Sequence, residues 1–307
     1  MDPRRGLALA KLALLVAVTL PLVPVQMVAV RRGWPLARSL PLRWHRLAAA
    51  LLGVRVTVRG TPAAGRPLLI AANHVSWLDI VILSTVLPVS FVAKSEVGAW
   101  PGVGLLAKLQ RSVFVERQKR GRTADQAREI AGRLGAGDAI VLFPEGTSSD
   151  GTTVLPFRSA LVGAAHGALV GAAHGALAGS AHGHVLVQPV AIAYTRFHGL
   201  PAGRRHRLML SWIGDVELVP HLMLLLAEAA VDVSLLFGEP IAIDREADRK
   251  AVTRRAEAAV RAMLAAELTG RDFADGAVEA SSSGDARSGP SGRRAGAPAA
   301  GDGEFGR

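Results

Sequence analysis

Cysteine is absent from the 307 residues, so disulfides, thiolate nucleophiles and cysteine-ligated metal sites are all excluded. Aromatic side chains are scarce, at 5% with a single tyrosine, and no nucleic-acid-binding module is present. Nucleic acid is therefore set aside as a partner. No Gly-x-Ser-x-Gly elbow follows a strand, which argues against a serine hydrolase. Acidic residues are also in short supply: 25 Asp and Glu against 36 Lys and Arg leave a net charge of +11, with a pI near 11.2.

Apolar residues, by contrast, are abundant. Half of the chain is hydrophobic and the mean hydropathy is +0.29. High apolar content with strong basicity suits an anionic membrane surface, where each nearby Lys or Arg contributes ~1 kcal/mol. A composition rich in Arg, Ala and Gly accounts for part of the basic excess. Residues Leu7 to Val30 are almost wholly apolar, interrupted by Lys11, Thr19 and Gln26 and flanked by Arg4, Arg5, Arg31 and Arg32. The run is long enough to span a bilayer, which takes ~20 residues. It lacks a small-x-small cleavage site before the arginine pair, which argues against a secretory signal. Pro21 and Pro24 predict a kink or break, so a bent pair of helices dipping into one leaflet fits as well as a full span. Trp34 to Leu52 mixes Arg38, Arg43 and Arg46 with leucines and reads as an interfacial amphipathic helix. Attachment to the cytoplasmic face of the membrane is the expectation.

From Val54 onward strands and helices alternate. Strands are expected at 54–58, 68–72, 89–93, 113–115, 139–143, 185–193, 208–212 and 231–237, and helices at 77–87, 97–109, 123–134 and 245–268. That alternation predicts an α/β fold, a mixed and largely parallel sheet covered by helices on both faces, behind an N-terminal membrane-attached helical segment. The expected division is 1–52 as anchoring helices, 53–273 as the main domain, and 274–307 as a disordered tail too poor in apolar residues to fold. Leu161 to Ala168 recurs as Leu169 to Ala176 and, imperfectly, from Leu177, placing His166, His174 and His182 eight residues apart. Eight residues turn a helix by about 80° beyond two full turns and advance it ~12 Å. The imidazoles then share neither a face nor an ion, and no metal site is assigned.

The chemistry concentrates after two of the strands. Asn73-His74-Val75-Ser76-Trp77-Leu78-Asp79 follows the apolar run Leu68 to Ala72. A histidine and an aspartate at this spacing can fold back on each other: the carboxylate takes one ring N–H and the other nitrogen is left as a base. Asn73 and Ser76 tune the turn, or simply form and cap it. Phe143-Pro144-Glu145-Gly146-Thr147-Ser148-Ser149 follows the second run, Ala139 to Leu142. Gly146 permits a tight turn, and backbone N–H groups with the Thr147 hydroxyl can cradle an anion.

Together with Arg111-Ser112-Val113-Phe114-Val115-Glu116-Arg117 and Val187-Gln188-Pro189-Val190, these segments resemble in order and spacing the glycerolipid acyltransferase family that includes 1-acylglycerol-3-phosphate acyltransferase. The resemblance spans Leu68 to Val190 and weakens toward Leu268. It implies that His74 is the catalytic base and Asp79 its orienting partner. It also implies substrate contacts from Arg117, Glu145, Gly146, Thr147 and, as a supporting candidate, Lys94. The reaction it implies moves an acyl group from acyl-CoA or acyl-carrier-protein to a lysolipid hydroxyl, with no metal or bound cofactor. Two departures bear on the acceptor. Arg111 stands where the family has glycine, and Ser148 stands where lysophosphatidate-specific members continue with arginine. Arg158 can compensate for the missing cation. The leading expectation is acylation of 1-acyl-sn-glycerol-3-phosphate. The rival is lyso-ornithine lipid, because Ser148, Phe91 to Glu96 and Trp100-Pro101 also resemble bacterial acyltransferases acting on that acceptor.

Overall fold

A computed structural model describes residues 3–65, 67–115, 129–130, 132–157, 185–214, 216–228, 230–243 and 248–271. Its centre is a nine-stranded sheet in the order β1-β8-β6-β2-β5-β3-β4, with β7 and β9 also paired to β6. The strands are β1 (Val54–Arg59), β2 (Leu68–Ala72), β3 (Val89–Lys94), β4 (Val113–Val115), β5 (Ala139–Leu142), β6 (Val185–Phe197), β7 (Leu200–Pro201), β8 (Val231–Phe237) and β9 (Ile241–Ile243). Strands β6, β2, β5, β3 and β4 run parallel to one another, as do β1 and β8. Strand β6 runs antiparallel to β7, β8 and β9. The sheet is mixed and largely parallel, as the alternation of elements requires.

Period-two alternation divides the buried strands between two cores. Leu68, Ile70 and Ala72 of β2, with Val190, Ile192 and Tyr194 of β6, face one apolar cluster. Leu69 and Ala71, with Val187, Ala191 and Ala193, face the other. The first face is covered by α1 (Pro3–Arg32), α2 (Leu36–Leu51), α3 (Leu78–Val86) and the helix Leu218–Glu228. The second carries Ile130 and Leu134, together with the C-terminal helix Arg249–Thr269 through Ala256, Val260, Met263 and Leu264. That last helix begins at Asp248, whose side chain accepts the Lys250 N–H, and ends at Gly270 in the left-handed region. Acceptor cap and glycine stop are the expected pair.

Several elements differ from the sequence expectation. Pro21 and Pro24 lie inside α1, which continues unbroken to Arg32. Each proline removes one hydrogen bond, but packing on α2 and on the helix Leu218–Glu228 supports both halves. Residues 208–212, expected as a strand, fall largely in the helix Arg204–Leu210. The helix expected over 97–109 is divided into a 3₁₀ turn, Ser95–Ala99, and α4, Val103–Leu109. Trp100-Pro101 and Gly102, at φ +71°, stop one and start the other. The helix Leu218–Glu228 was not expected at all. The histidine repeat and residues 274–307 lie outside the described residues.

The N-terminal helices share the main core. Leu12 and Leu15 of α1 and Ala48, Ala49 and Leu52 at the end of α2 belong to the first cluster.

Candidate active site

Strands β2 and β5 are parallel neighbours, Ala71 beside Leu142, so the loops leaving them emerge at one sheet edge. Carboxyl ends of parallel strands are where open α/β sheets build their sites. At this edge Asn73 leaves β2 and pairs with β6: its amide donates to the Ile192 carbonyl at 3.1 Å and accepts the Ile192 N–H at 2.7 Å. The next residue, His74, is thereby fixed at the strand mouth.

His74 Nδ1 lies 2.8 Å from Asp79 Oδ2. An ionised carboxylate only accepts, so Nδ1 carries the proton and Nε2 is the basic nitrogen. The same Oδ2 accepts the N–H groups of Val75 at 2.7 Å and Ser76 at 2.9 Å. Oδ1 accepts the Tyr194 hydroxyl at 2.7 Å. Asp79 is fully buried while the His74 side chain keeps 19% exposure. The imidazole stacks on Phe143, with ring centroids 4.1 Å apart and planes 17° off parallel.

Glu145, expected to touch substrate, is tied to the loop that carries His74. Its carboxyl is buried, and Oε1 accepts the His74 backbone N–H at 3.1 Å. Burial pushes this carboxyl up to about 8; the N–H groups of His74 and Leu155 oppose the rise and the charges of Asp79 and Glu257 add to it. Gly146 adopts φ +72° and spends its N–H on the Phe143 carbonyl at 3.1 Å. Ser149 ties this loop back to the first, its N–H donating to the His74 carbonyl at 2.8 Å.

A cavity of about 800 Å³ opens at this point. His74, Trp77, Lys94, Gly146, Thr147 and Ser148 line it together with the apolar Leu15, Trp44, Val81 and Leu106. Polar residues stand among the apolar ones, His45 and Gln26 with them. His45 donates Nδ1–H to the Pro41 carbonyl at 2.7 Å, and burial holds its pKa down to about 4, so it stays neutral. Gln26 bridges the carbonyls of Ala37 and Leu109 at 2.9 Å each. A base set among predominantly apolar walls suits a reaction on a lipid hydroxyl.

The structure thus gathers His74, Asp79, Glu145, Gly146, Thr147 and Lys94 at one edge. Arg117 and Arg158 lie outside the described residues. Sequence reasoning missed Tyr194 and Trp212. Trp212 gives its N–H to the Val75 carbonyl at 2.9 Å, and its own carbonyl accepts the Ser148 hydroxyl. For Tyr194 a signal existed: a lone tyrosine in an apolar strand needs a partner for its hydroxyl once buried.

Fold and site together define an acyltransferase. The chain belongs to the acyltransferase family, whose model matches residues 54–193, and it is an O-acyltransferase of the lysophospholipid type. It is 51% identical over 263 residues to the lyso-ornithine lipid O-acyltransferase of Brucella abortus, covering 85% of this chain and 95% of that protein. It is 49% identical to the protein of the same name from Rhizobium meliloti, over 84% of this chain and 86% of that one. A shorter match, 40% identical over 39% of this chain and 46% of the relative, is to the 1-acyl-sn-glycerol-3-phosphate acyltransferase of Neisseria gonorrhoeae.

Proposed function

We propose that the protein transfers an acyl group from acyl-CoA or acyl-carrier-protein to the free hydroxyl of lyso-ornithine lipid, at the cytoplasmic face of the membrane. His74 Nε2 takes the proton as the hydroxyl oxygen attacks the thioester carbonyl. Asp79 holds the ring and stabilises the imidazolium. When the tetrahedral adduct collapses, the C–S bond breaks and the proton passes from His74 to the departing sulfur. No enzyme-bound acyl intermediate, metal or cofactor takes part. Glu145 acts through its bond to the His74 backbone, while Lys94 and Thr147 face the acceptor head group. The observation that carries the chemistry is the saturated His74–Asp79 pair, with His74 lining a predominantly apolar cavity.

The acceptor assignment rests on the relatives and on the loop after Thr147. Ser148 occupies the position where a phosphate-holding arginine was looked for, and its hydroxyl is committed to Trp212. Two residues on, hydrogen bonds from Thr152 keep the Asp150 carboxyl below its ordinary range, hence ionised. Arg204 and Arg207 also act on this carboxylate, but an acid close after Thr147, with no arginine at 148, suits the ammonium of an ornithine head group better than a phosphate dianion. The earlier preference for 1-acyl-sn-glycerol-3-phosphate therefore becomes the second reading, supported by the Neisseria relative. Purified enzyme offered each lysolipid with each donor type tests this. Preferential acylation of lysophosphatidate would overturn the acceptor while leaving the chemistry standing. In that case Arg158→Ala should raise KM for the phosphate acceptor more than it lowers kcat, the pattern of lost ground-state binding.

A further inference from the structure

Helix α1 is amphipathic in the inverted sense. The three polar residues that interrupt its apolar run lie within an arc of about 80° at 100° per residue, and each points into the protein. Lys11 donates to the Leu226 carbonyl at 3.0 Å, Thr19 accepts the Trp44 indole N–H at 2.8 Å, and Gln26 bridges α2 and α4. The opposite side is apolar and open: Leu7, Leu9, Leu14, Val16, Leu20, Val25 and Val28 are 44–64% exposed. Arg4 adds an ion pair to Glu228 at 3.2 Å. Helix α1 therefore lies along the domain, beside the helix Leu218–Glu228, with its apolar side outward.

The neighbouring helix has the same problem. Its inner side buries His221, Leu225 and Leu226. Its exposed residues are the apolar Val219, Pro220 and Leu224, and Val219 and Leu224 are 67% and 36% exposed. A helix apolar all round needs a cover on every side. Exposed Leu208 of the helix Arg204–Leu210, and Ile213 and Val216 in the turn that follows it, extend this apolar surface. Arg204 and Arg205 stand exposed at its margin. In sequence, residues 204–224 carry Arg204, Arg205 and Arg207 against Asp215 and Glu217.

We propose that residues 208–224 form a second membrane-binding surface, seated with the outward side of α1 on an anionic lipid surface. The cavity confirms the geometry's usefulness: Leu15, Val16 and Leu20 of α1 and Leu218 and Leu222 of the second helix all line it. Both lipid-facing helices therefore border the cavity that His74 also lines, and a lysolipid reaches His74 sideways from the bilayer without crossing water. The same segment is wired to the chemistry. Trp212 bonds both catalytic loops, and Trp77 donates its indole N–H to His221 Nδ1 at 2.9 Å. Lateral access rests on the proposed function, whereas the surface itself does not. Lipid is favoured over a second copy of the chain because the patch lies beside α1 and is edged by arginine.

The absence of native cysteine makes the test direct. Val219→Cys and Leu224→Cys in the full chain are labelled with an environment-sensitive fluorophore and mixed with phosphatidylcholine–phosphatidylglycerol vesicles. Leu14→Cys on α1 and Arg254→Cys on the opposite face serve as references. Labels at 219 and 224 should shift to the blue and be quenched by chain-labelled lipids, as at 14, while the label at 254 stays unchanged. Labels at 219 and 224 that remain in water while the protein pellets with vesicles overturn the proposal. So does a blue shift without lipid that tracks self-association, which would assign the face to a second copy. In the combined variant Ile213→Glu, Val219→Glu, Leu224→Glu, vesicle partitioning should fall at least ~10-fold, as expected from the apolar transfer lost, with activity on detergent-dispersed acceptor retained. Insertion of the labels with no lysolipid acylated under any condition would remove the proposed function and leave the surface in place.

Discussion

Tyr194 donates its hydroxyl to Oδ1 of Asp79 at 2.7 Å, tying the central strand β6 to the turn that carries His74. Because Oδ2 already accepts three N–H groups, the carboxylate is saturated on both sides and has one orientation. Burial, followed by the Asp79 charge, raises the ionisation of Tyr194 well above the ordinary phenol range, so the hydroxyl remains a donor. Tyr194→Phe leaves Oδ1 buried without a partner. The expected loss is about 1–3 kcal/mol of stability, read as a lower denaturant midpoint, with kcat reduced and KM little changed. Unchanged stability and kcat would show that the Tyr194 bond does not hold the pair.

His74→Ala should lower activity by at least ~10²-fold, the low end for a general base, without loss of fold or membrane attachment. Asp79→Asn should come close to it, since an amide carries no charge to stabilise the imidazolium that forms on His74. Turnover by purified His74→Ala near the wild-type rate would refute the mechanism.

Glu145 sets a pH dependence of stability. Its carboxyl titrates at about 8 in the fold against 4.5 in the ordinary state, so between these values the folded chain holds a proton that the unfolded chain has released. Stability therefore falls as pH rises through that window and levels off above it. Glu145→Gln keeps an acceptor for the His74 N–H and has no charge to bury. The melting-temperature difference between Gln variant and wild type should move in favour of the variant from the acidic to the basic end of the window. Parallel curves would rule out Glu145 as the source.

Removal of residues 1–52 should send the protein from the membrane fraction to aggregates more than to the soluble fraction. The deletion strips Leu12, Leu15, Ala48, Ala49 and Leu52 from the main core as well as the apolar surface. High salt should leave the full-length protein on the membrane, because screening removes only the electrostatic part of the attachment. Complete release by salt would refute an apolar attachment.

Features legible from the residues were local ones. Short apolar runs bounded by turn formers gave β2, β3, β4, β5 and β8 nearly to the residue. The five-residue spacing of His74 and Asp79 brings them together in almost any strand-to-helix turn. Legibility failed where one run suited two periods. Leu208 to Trp212 is too short and too apolar to separate strand from helix, and in the fold it is helix and turn.

By itself, then, the sequence determined the α/β alternation, the His74–Asp79 pair, the glycine turn at Gly146 and the affinity for lipid. These depend on neighbours in the chain or on composition. Only the tertiary structure decided that Glu145 faces the His74 backbone across 71 positions, that Tyr194 completes Asp79 across 115, and that the polar residues of α1 point inward. Such contacts follow from parallel strand order and from which helix faces meet. A buried carboxyl or a lone tyrosine demands a hydrogen-bond partner, but its identity is fixed only when distant segments pack.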